Sequence, residues 1–195
     1  MQAFEAFPKI PRLHGDVIVT EKIDGTNACI ELAPGSVSAC SRNRRLVTIS
    51  WQPEREQHPL VEWHGMDNYG FGAWVLANYQ SLVRLGYGRH FGEWYGRGIQ
   101  RTYGLDHKRF ALFREPKNGL PEGLPSNVGV VPRLAHLNMF DSNELANILA
   151  FLQVQGSEAV HGFMQPEGLV AFHVRSGQLF KYTVEAGPKG QKEDA

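Results

Sequence analysis

The chain has 195 residues, of which 42% are hydrophobic and 21% charged, as in an ordinary globular domain. Its 20 Lys and Arg residues balance its 20 Asp and Glu residues. This balance argues against a broad nucleic-acid coat, although a local basic groove remains compatible with it. No apolar run is long enough for a membrane span, and the amino terminus lacks the features of a signal peptide. We therefore expect an intracellular, cytoplasmic protein without a membrane partner.

The first predicted element is a strand over residues 17–22, after an irregular lead-in over residues 1–16. The apolar run Val17–Val19 begins the strand, and Asp24–Gly25, a strong turn dipeptide, follows it. Lys22 therefore sits where a strand stops and the backbone bends sharply. A lysine in this place can lie in a cleft instead of extending into solvent.

A hairpin is predicted next, with strands over Ala28–Leu32 and Val37–Ser41. Its register pairs apolar residues on one face: Leu32 with Val37, and Ile30 with Ala39. The same register sets Cys29 opposite Cys40. A directly cross-strand disulfide would be strained, so we expect two free thiols in a reducing setting.

Two helices are predicted, one over about Tyr69–Leu85 and one that opens at the capping box Asp141–Glu144 and ends at Gly156. Their inward residues are Phe71, Trp74, Val75, Leu82 and Leu85 in the first helix, and Leu145, Ile148, Leu149 and Leu152 in the second.

The remaining regular segments are strands. They cover residues 88–95, 110–113, 168–174 and 178–184, while residues 51–67 and 116–133 read as loops. Strands outnumber helices and are mostly joined by hairpins, which predicts an α+β fold with antiparallel sheets. One domain over residues 1–185 is expected, with a flexible polar tail over residues 186–195 and no separate C-terminal domain.

Polar residues stand beside glycines at several predicted strand ends, in a fixed order along the chain. The elements are Lys22–x–Asp24–Gly25, Ser41–Arg42, Phe91–Gly92–Glu93, the aromatic strand Phe110–Phe113, Glu167–Gly168–Leu169–Val170 and the strand lysine Lys181. Together these elements resemble the covalent nucleotidyltransferase superfamily of ligases and RNA-capping enzymes. Glu21–Asn27 and Gly96–x–Gly98–Ile99–Gln100 are similar to the ATP-dependent RNA ligase branch, typified by the phage-type second RNA ligase.

This resemblance implies a nucleotidyltransferase fold, in which two antiparallel sheets flanked by helices form a nucleotide-binding cleft. It also implies an enzyme of RNA repair that uses ATP with Mg²⁺ or Mn²⁺. The amine of Lys22 would attack the α-phosphorus of ATP to form a lysyl–AMP. The AMP would move to the 5′-phosphate of RNA, and a 3′-hydroxyl would then seal the strand. A free lysine has a pKa of about 10.4, so the amine must be brought into its neutral form.

The resemblance assigns further site residues by motif. Glu93 would accept hydrogen bonds from the ribose hydroxyls, and Arg42 would contact the nucleotide sugar or the RNA end. Glu167 would contact the metal, mostly through water, and Lys181 would hold the α-phosphate. The ATP-binding set as a whole is Glu21, Lys22, Ile23, Asn27, Arg42, Glu93, Phe110, Glu167 and Lys181. The candidate RNA contacts are Arg42, Arg44, Arg45 and Arg97.

Several of these assignments have structural alternatives. Phe110 would stack on adenine, but an aromatic strand residue is often core. Phe113, expected on the same face, could be core or could exchange roles with Phe110. Glu21 would lie near the adenine base, or it could be a carboxylate behind the site or on the surface. The family's last motif has two lysines spaced Lys–x–Lys, whereas this chain has Leu179 and Thr183 on either side of Lys181.

Other functions remain open on the sequence. A DNA-nick ligase and a capping-type transferase that uses GTP are relatives with the same motifs. A non-catalytic relative that binds RNA ends or nucleotide is a third alternative, because one lysine of the last motif is missing. The expected partners are RNA ends or nicked duplex, together with ATP, and a monomer is favoured.

Overall fold

The computed structural model describes residues 14–51 and 58–184, which contain two helices and eleven strands. The helices are α1 (Phe71–Leu82), continued by a 3-10 turn over Val83–Leu85, and α2 (Ser142–Gln155). The strands are β1 (His14–Lys22), β2 (Thr26–Ala33), β3 (Ser36–Ser41), β4 (Arg45–Ser50), β5 (Leu60–Trp63), β6 (Gly88–Gly96), β7 (Lys108–Leu112), β8 (Val128–Val130), β9 (Arg133–Met139), β10 (Gly168–His173) and β11 (Gln178–Thr183).

The chain divides into two compact units, each built on one sheet. It leaves the first unit directly after Lys22, forms the whole second unit over residues 23–131, and returns to the first at Pro132. The predicted tail over residues 186–195 and most of the predicted lead-in lie outside the described residues. In the described part of the chain, no helix is long and apolar enough to cross a membrane.

The first unit is a four-stranded antiparallel sheet in the order β11-β10-β1-β9, covered on one face by α2. The side chain of Asp141 accepts hydrogen bonds from the backbone N–H groups of Asn143 and Glu144, so the helix begins at the predicted cap. The core between sheet and helix contains Val17, Val19, Leu145, Leu169 and Ala171.

The second unit is a seven-stranded sheet in the order β5-β4-β3-β2-β6-β7-β8, antiparallel except for the pair β7–β8. Helix α1 packs on one face through Phe71, Val75 and Leu82. Because side chains alternate along a strand, the opposite face carries the residues between the core positions. Asn27, Glu93 and other polar residues occupy that opposite face.

The hairpin register predicted from the sequence is confirmed. Leu32 pairs with Val37, Ile30 with Ala39, and Cys29 with Cys40. Both cysteines are free thiols, as expected. Burial raises the pKa of the Cys29 thiol to about 11, so this thiol is almost entirely protonated at neutral pH.

Two segments predicted as loops contain strands instead. Strand β5 lies within residues 51–67, and its four residues are all exposed. A strand without a buried face needs no alternation of apolar and polar residues, so the sequence shows no strand pattern there. It forms because the edge of β4 offers backbone partners. Strand β8 lies within residues 116–133 and pairs in parallel with β7, a long-range contact that local patterns do not report.

Candidate functional site

Lys22 is the last residue of β1, and its Nζ donates a hydrogen bond to Oε1 of Glu167 at 2.6 Å. The pair is partly buried, with 26% of the lysine side chain and 17% of the glutamate side chain exposed. The contact follows from strand pairing, because Lys22 lies opposite Gly168 in the register of β1 and β10. Two motifs separated by 145 positions in the chain therefore meet at one point.

Only glycine fits the backbone at position 168. Its φ of +153° is rarely adopted by other residues, and a Cβ there would collide with the carbonyl oxygen of Tyr182 on β11. The glycine thus lets β10 and β11 lie close beside the Lys22–Glu167 pair. Lys181 of β11 pairs with Val170, and alternation puts its side chain on the same sheet face as Lys22. This face carries Lys22 and Lys181, with Glu167 at its edge.

The second carboxylate oxygen of Glu167, Oε2, is buried and has no hydrogen-bond partner in the protein. An orphaned carboxylate oxygen is unusual, because buried polar atoms are almost always paired. The unpaired Oε2 of Glu167 fits a contact with a hydrated divalent cation, since Mg²⁺ takes oxygen ligands and keeps several of its waters. Within the described ranges no group of three or more metal-ligating side chains exists, so a cation here would rely on few carboxylates.

Glu21, the residue before Lys22, is only 1% exposed and faces the opposite side of the sheet. Its carboxylate accepts hydrogen bonds from Ser157 Oγ at 2.6 Å and from the backbone N–H groups of Glu158 and Ala159, each at 2.8 Å. Burial raises the pKa of the Glu21 carboxyl, although these donors act against the rise. Neither carboxylate oxygen is open to a ligand, which argues against a contact between this side chain and the adenine base and favours the alternative of a carboxylate behind the site.

Glu21 instead ties the end of β1 to the loop that follows α2, and thereby fixes the backbone that carries Lys22. No local pattern predicts this role, because Ser157 lies 136 positions away in an irregular segment.

The turn after Lys22 is held by residues that sequence reasoning missed. Tyr103 Oη accepts a hydrogen bond from the Asp24 backbone N–H at 2.7 Å, and Arg101 Nε donates to Asp24 Oδ2 at 2.9 Å. A Cβ on Gly25 would lie 2.5 Å from the carbonyl oxygen of Trp94, so only glycine fits this position. Both carboxylates that flank Lys22 in the sequence therefore have partners of their own.

Arg101 and Tyr103 belong to a strained segment. Gln100, Thr102 and Tyr103 all have a positive φ, which costs free energy in residues other than glycine. The Tyr103 ring is buried and packs edge-on against Tyr95, which holds the segment in place. The strain is thus maintained by packing and by the contacts to Asp24.

Glu93 lies on β6 directly opposite Asn27 of β2, and Asn27 Nδ2 donates to Glu93 Oε2 at 2.9 Å. The amide therefore fixes the orientation of a carboxylate that is 8% exposed.

Exposed Arg42, at the end of β3, lines a cavity of about 370 Å³ together with Asn27. Ile23 is 4% exposed and has little surface for a nucleotide contact.

Phe110 is fully buried in the core of the second unit, with ring centroids 5.3 Å from Phe71 and 6.1 Å from Trp74. None of the Phe110 surface is open to a ligand, which argues against the predicted stacking on adenine. Phe113 is 45% exposed. Phe113 follows the last residue of β7, and its backbone N–H donates to the carbonyl oxygen of Phe91 on β6 at 2.9 Å, which continues the strand pairing by one residue. Because Ala111 pairs with Glu93, continued alternation brings Phe113 to the Glu93 face. The two phenylalanines point to opposite faces, so the expectation that they share one face is wrong. Of the two rings, the exposed ring of Phe113 is the one that fits a contact with adenine.

Alanine variants of these two phenylalanines test this exchange. Phe110→Ala should destabilise the protein by about 3–5 kcal/mol, because it removes a fully buried ring from an aromatic cluster. Phe113→Ala should change stability by less than about 1 kcal/mol but weaken ATP binding about tenfold, because a stacking surface is lost. Thermal unfolding and ATP titration measure the two effects. Unchanged ATP affinity in Phe113→Ala would refute the stacking role.

The four candidate RNA-contacting arginines do not form one patch. Arg42 and Arg44 line the same cavity. The Arg45 guanidinium instead donates to Glu31 at 2.7 Å and, with Arg89, lowers the pKa of the Glu31 carboxyl. Arg97 is exposed on the loop after β6, outside that cavity.

Comparisons with known proteins agree on one family. The family model described as RNA ligase matches residues 15–183. A lysine-to-methionine variant of Naegleria gruberi RNA ligase, solved with AMP and Mn, is 17% identical and has a TM-score of 0.59 over 88% of this chain and 50% of that chain. A glutamate-to-alanine variant with ATP and Mn is 18% identical, with a TM-score of 0.59 over 89% of this chain and 51% of that one. No curated protein matches.

These likenesses confirm the predicted α+β fold with two mostly antiparallel sheets. The chain spans about half the length of the solved structures that it matches.

Proposed function

The chain belongs to the RNA ligase family, and we propose that it is an ATP-dependent RNA ligase with Lys22 as its nucleophile. The observation that carries the proposal is the partly buried contact between Lys22 Nζ and Glu167, with Lys181 on the same sheet face. Naegleria gruberi RNA ligase, which has been solved with ATP and Mn and with AMP and Mn, supports the nucleotide and the class of cation.

The first reaction is transfer of AMP from ATP to the protein. The neutral amine of Lys22 attacks the α-phosphorus, a phosphorus–nitrogen bond forms, and the bond to pyrophosphate breaks. The amine loses a proton, and pyrophosphate carries away the electron pair of the broken bond. Lys181 contributes a positive charge to the α-phosphate, where negative charge develops in the transition state.

Further residues of the predicted ATP-binding set contact the nucleoside part of ATP. The Glu93 carboxylate, oriented by Asn27, accepts hydrogen bonds from the ribose hydroxyls. The exposed ring of Phe113 provides a flat apolar surface for adenine. Arg42 contacts the sugar or the RNA end.

A divalent cation, Mg²⁺ or Mn²⁺, would be held at Glu167, mainly through its bound waters. The unpaired Oε2 of Glu167 is the atom that fits this role. When bound, the cation supplies positive charge to the phosphates.

RNA ends or a nicked duplex are the proposed acceptors. The lysyl–AMP gives its AMP to a 5′-phosphate, which breaks the phosphorus–nitrogen bond and forms a pyrophosphate linkage. A 3′-hydroxyl then attacks the activated 5′-phosphate, seals the strand and releases AMP.

The test is direct detection of the lysyl–AMP. The protein is incubated with ATP and Mg²⁺ or Mn²⁺, denatured and examined by mass spectrometry of its peptides. We expect a mass increase of one AMP on the peptide that contains Lys22, and pyrophosphate in solution. ATP binding without the adduct and without pyrophosphate would support the non-catalytic alternative instead. Parallel reactions with GTP, and with RNA and DNA nicks, separate the ligase from its relatives.

A further inference from the structure

The cavity beside Asn27 contains residues that the nucleotide proposal does not use. Its volume is about 370 Å³, near the small end of the range for ligand sites. The segment that precedes α1 contributes Asn68 and Tyr69, and Tyr69 is 39% exposed. Arg42 and Arg44 contribute two positive charges from the loop after β3. An aromatic ring beside two arginines is the combination that binds a nucleotide of a single strand.

Hydrogen bonds to the rest of the second unit hold the backbone around Tyr69 in place. The carbonyl oxygen of Tyr69 accepts hydrogen bonds from Trp94 Nε1 at 2.9 Å and from Lys108 Nζ at 2.7 Å. Arg44 donates to the carbonyl oxygen of Met66 at 3.0 Å, which ties the loop after β3 to the same segment. The ring is therefore presented from a fixed backbone, and binding would require little ordering.

Among the described residues that line the cavity, Asp67 is the one carboxylate, and its Oδ2 accepts a hydrogen bond from the Ala73 backbone N–H in the first turn of α1 at 2.9 Å. The cavity also begins at Asn27, whose amide orients Glu93. Asn27 thus links the cavity to Glu93, the residue that we place at the ATP ribose.

We propose that this cavity binds the terminal nucleotide of the 5′-phosphorylated RNA strand, with the base on Tyr69 and the phosphate near Arg42 and Arg44. The inference rests on the proposed ligase function and identifies where that function takes its acceptor. The 5′ end is chosen because it carries a terminal phosphate, whereas a 3′-hydroxyl end brings no terminal charge for the two arginines to meet.

The test separates RNA binding from lysine adenylylation. The probe is a short RNA with a 5′-phosphate and a fluorophore at its 3′ end, followed by anisotropy. Tyr69→Ala should weaken binding about tenfold and slow AMP transfer to RNA similarly, while Tyr69→Phe keeps both. Tyr87→Ala, which removes a ring that is 77% exposed outside the cavity, is the matched control and should behave like the unaltered protein. Labelling of Lys22 without RNA should be unchanged in all three.

A second pair of probes examines the phosphate. Arg44→Gln should reduce the preference for 5′-phosphorylated over 5′-hydroxyl RNA severalfold, and Arg175→Gln, on the turn between β10 and β11, should not. Unchanged RNA binding in Tyr69→Ala would overturn the proposal. An equal loss of lysine labelling would also overturn it, because the cavity would then hold ATP. If the unaltered protein forms no lysyl–AMP, the ligase function fails, but the RNA-binding measurements still decide this inference.

Discussion

Lys22→Ala is expected to abolish the transfer of AMP from ATP to the protein. Lys22→Arg should be equally inactive, because the guanidinium stays protonated and cannot act as a nucleophile. The arginine keeps a positive charge beside Glu167, so this variant separates loss of the nucleophile from loss of the ion pair. Incubation with labelled ATP and a divalent cation, followed by a denaturing gel, measures the effect.

Both Lys22 variants should remain folded. The Lys22–Glu167 pair is partly exposed, so its loss should cost about 1 kcal/mol or less. Lys117→Arg, at an exposed loop position, controls for lysine replacement in general. Retained label in a folded Lys22→Ala protein would show that another residue is the nucleophile.

Glu167→Gln is expected to slow lysine adenylylation by about 10²–10³-fold, a loss like that measured when one preorganised electrostatic contact is removed from an active site. The amide has nearly the same shape but lacks the negative charge that Lys22 contacts and that a hydrated cation would meet at Oε2. Single-turnover rates at saturating ATP, over a series of Mg²⁺ and Mn²⁺ concentrations, measure the loss and its dependence on the cation.

The matched control is Glu158→Gln, an exposed glutamate of the same unit whose backbone, and not its side chain, contacts Glu21. It should retain its full rate. If Glu167→Gln also retained its rate at every cation concentration, Glu167 would only orient Lys22, and the cation would need another site.

Local patterns predicted the parts of the fold that neighbouring residues determine. The hairpin register follows from alternating apolar residues and a short turn, so the pairing of Ile30 with Ala39 could be predicted. Helix α2 begins at Asp141 because its side chain accepts from nearby backbone N–H groups, a contact within one turn. Strands β4, β5, β8 and β9 were not predicted. Strands β8 and β9 pair with β7 and β1, partners that local patterns do not report, and the four residues of β5 are all exposed.

For the candidate site, the ordered motifs identified the residue types but not all of their surroundings. Strand pairing brings Glu167 to Lys22. Burial leaves the Glu21 side chain with almost no surface for a ligand. The choice between Phe110 and Phe113 also required the tertiary structure, since two aromatic residues three positions apart in a strand point to opposite faces. The sequence by itself determined the family and predicted the reactive groups. Only the packing of distant segments decided which side chains remain accessible, because accessibility depends on residues far apart in the chain.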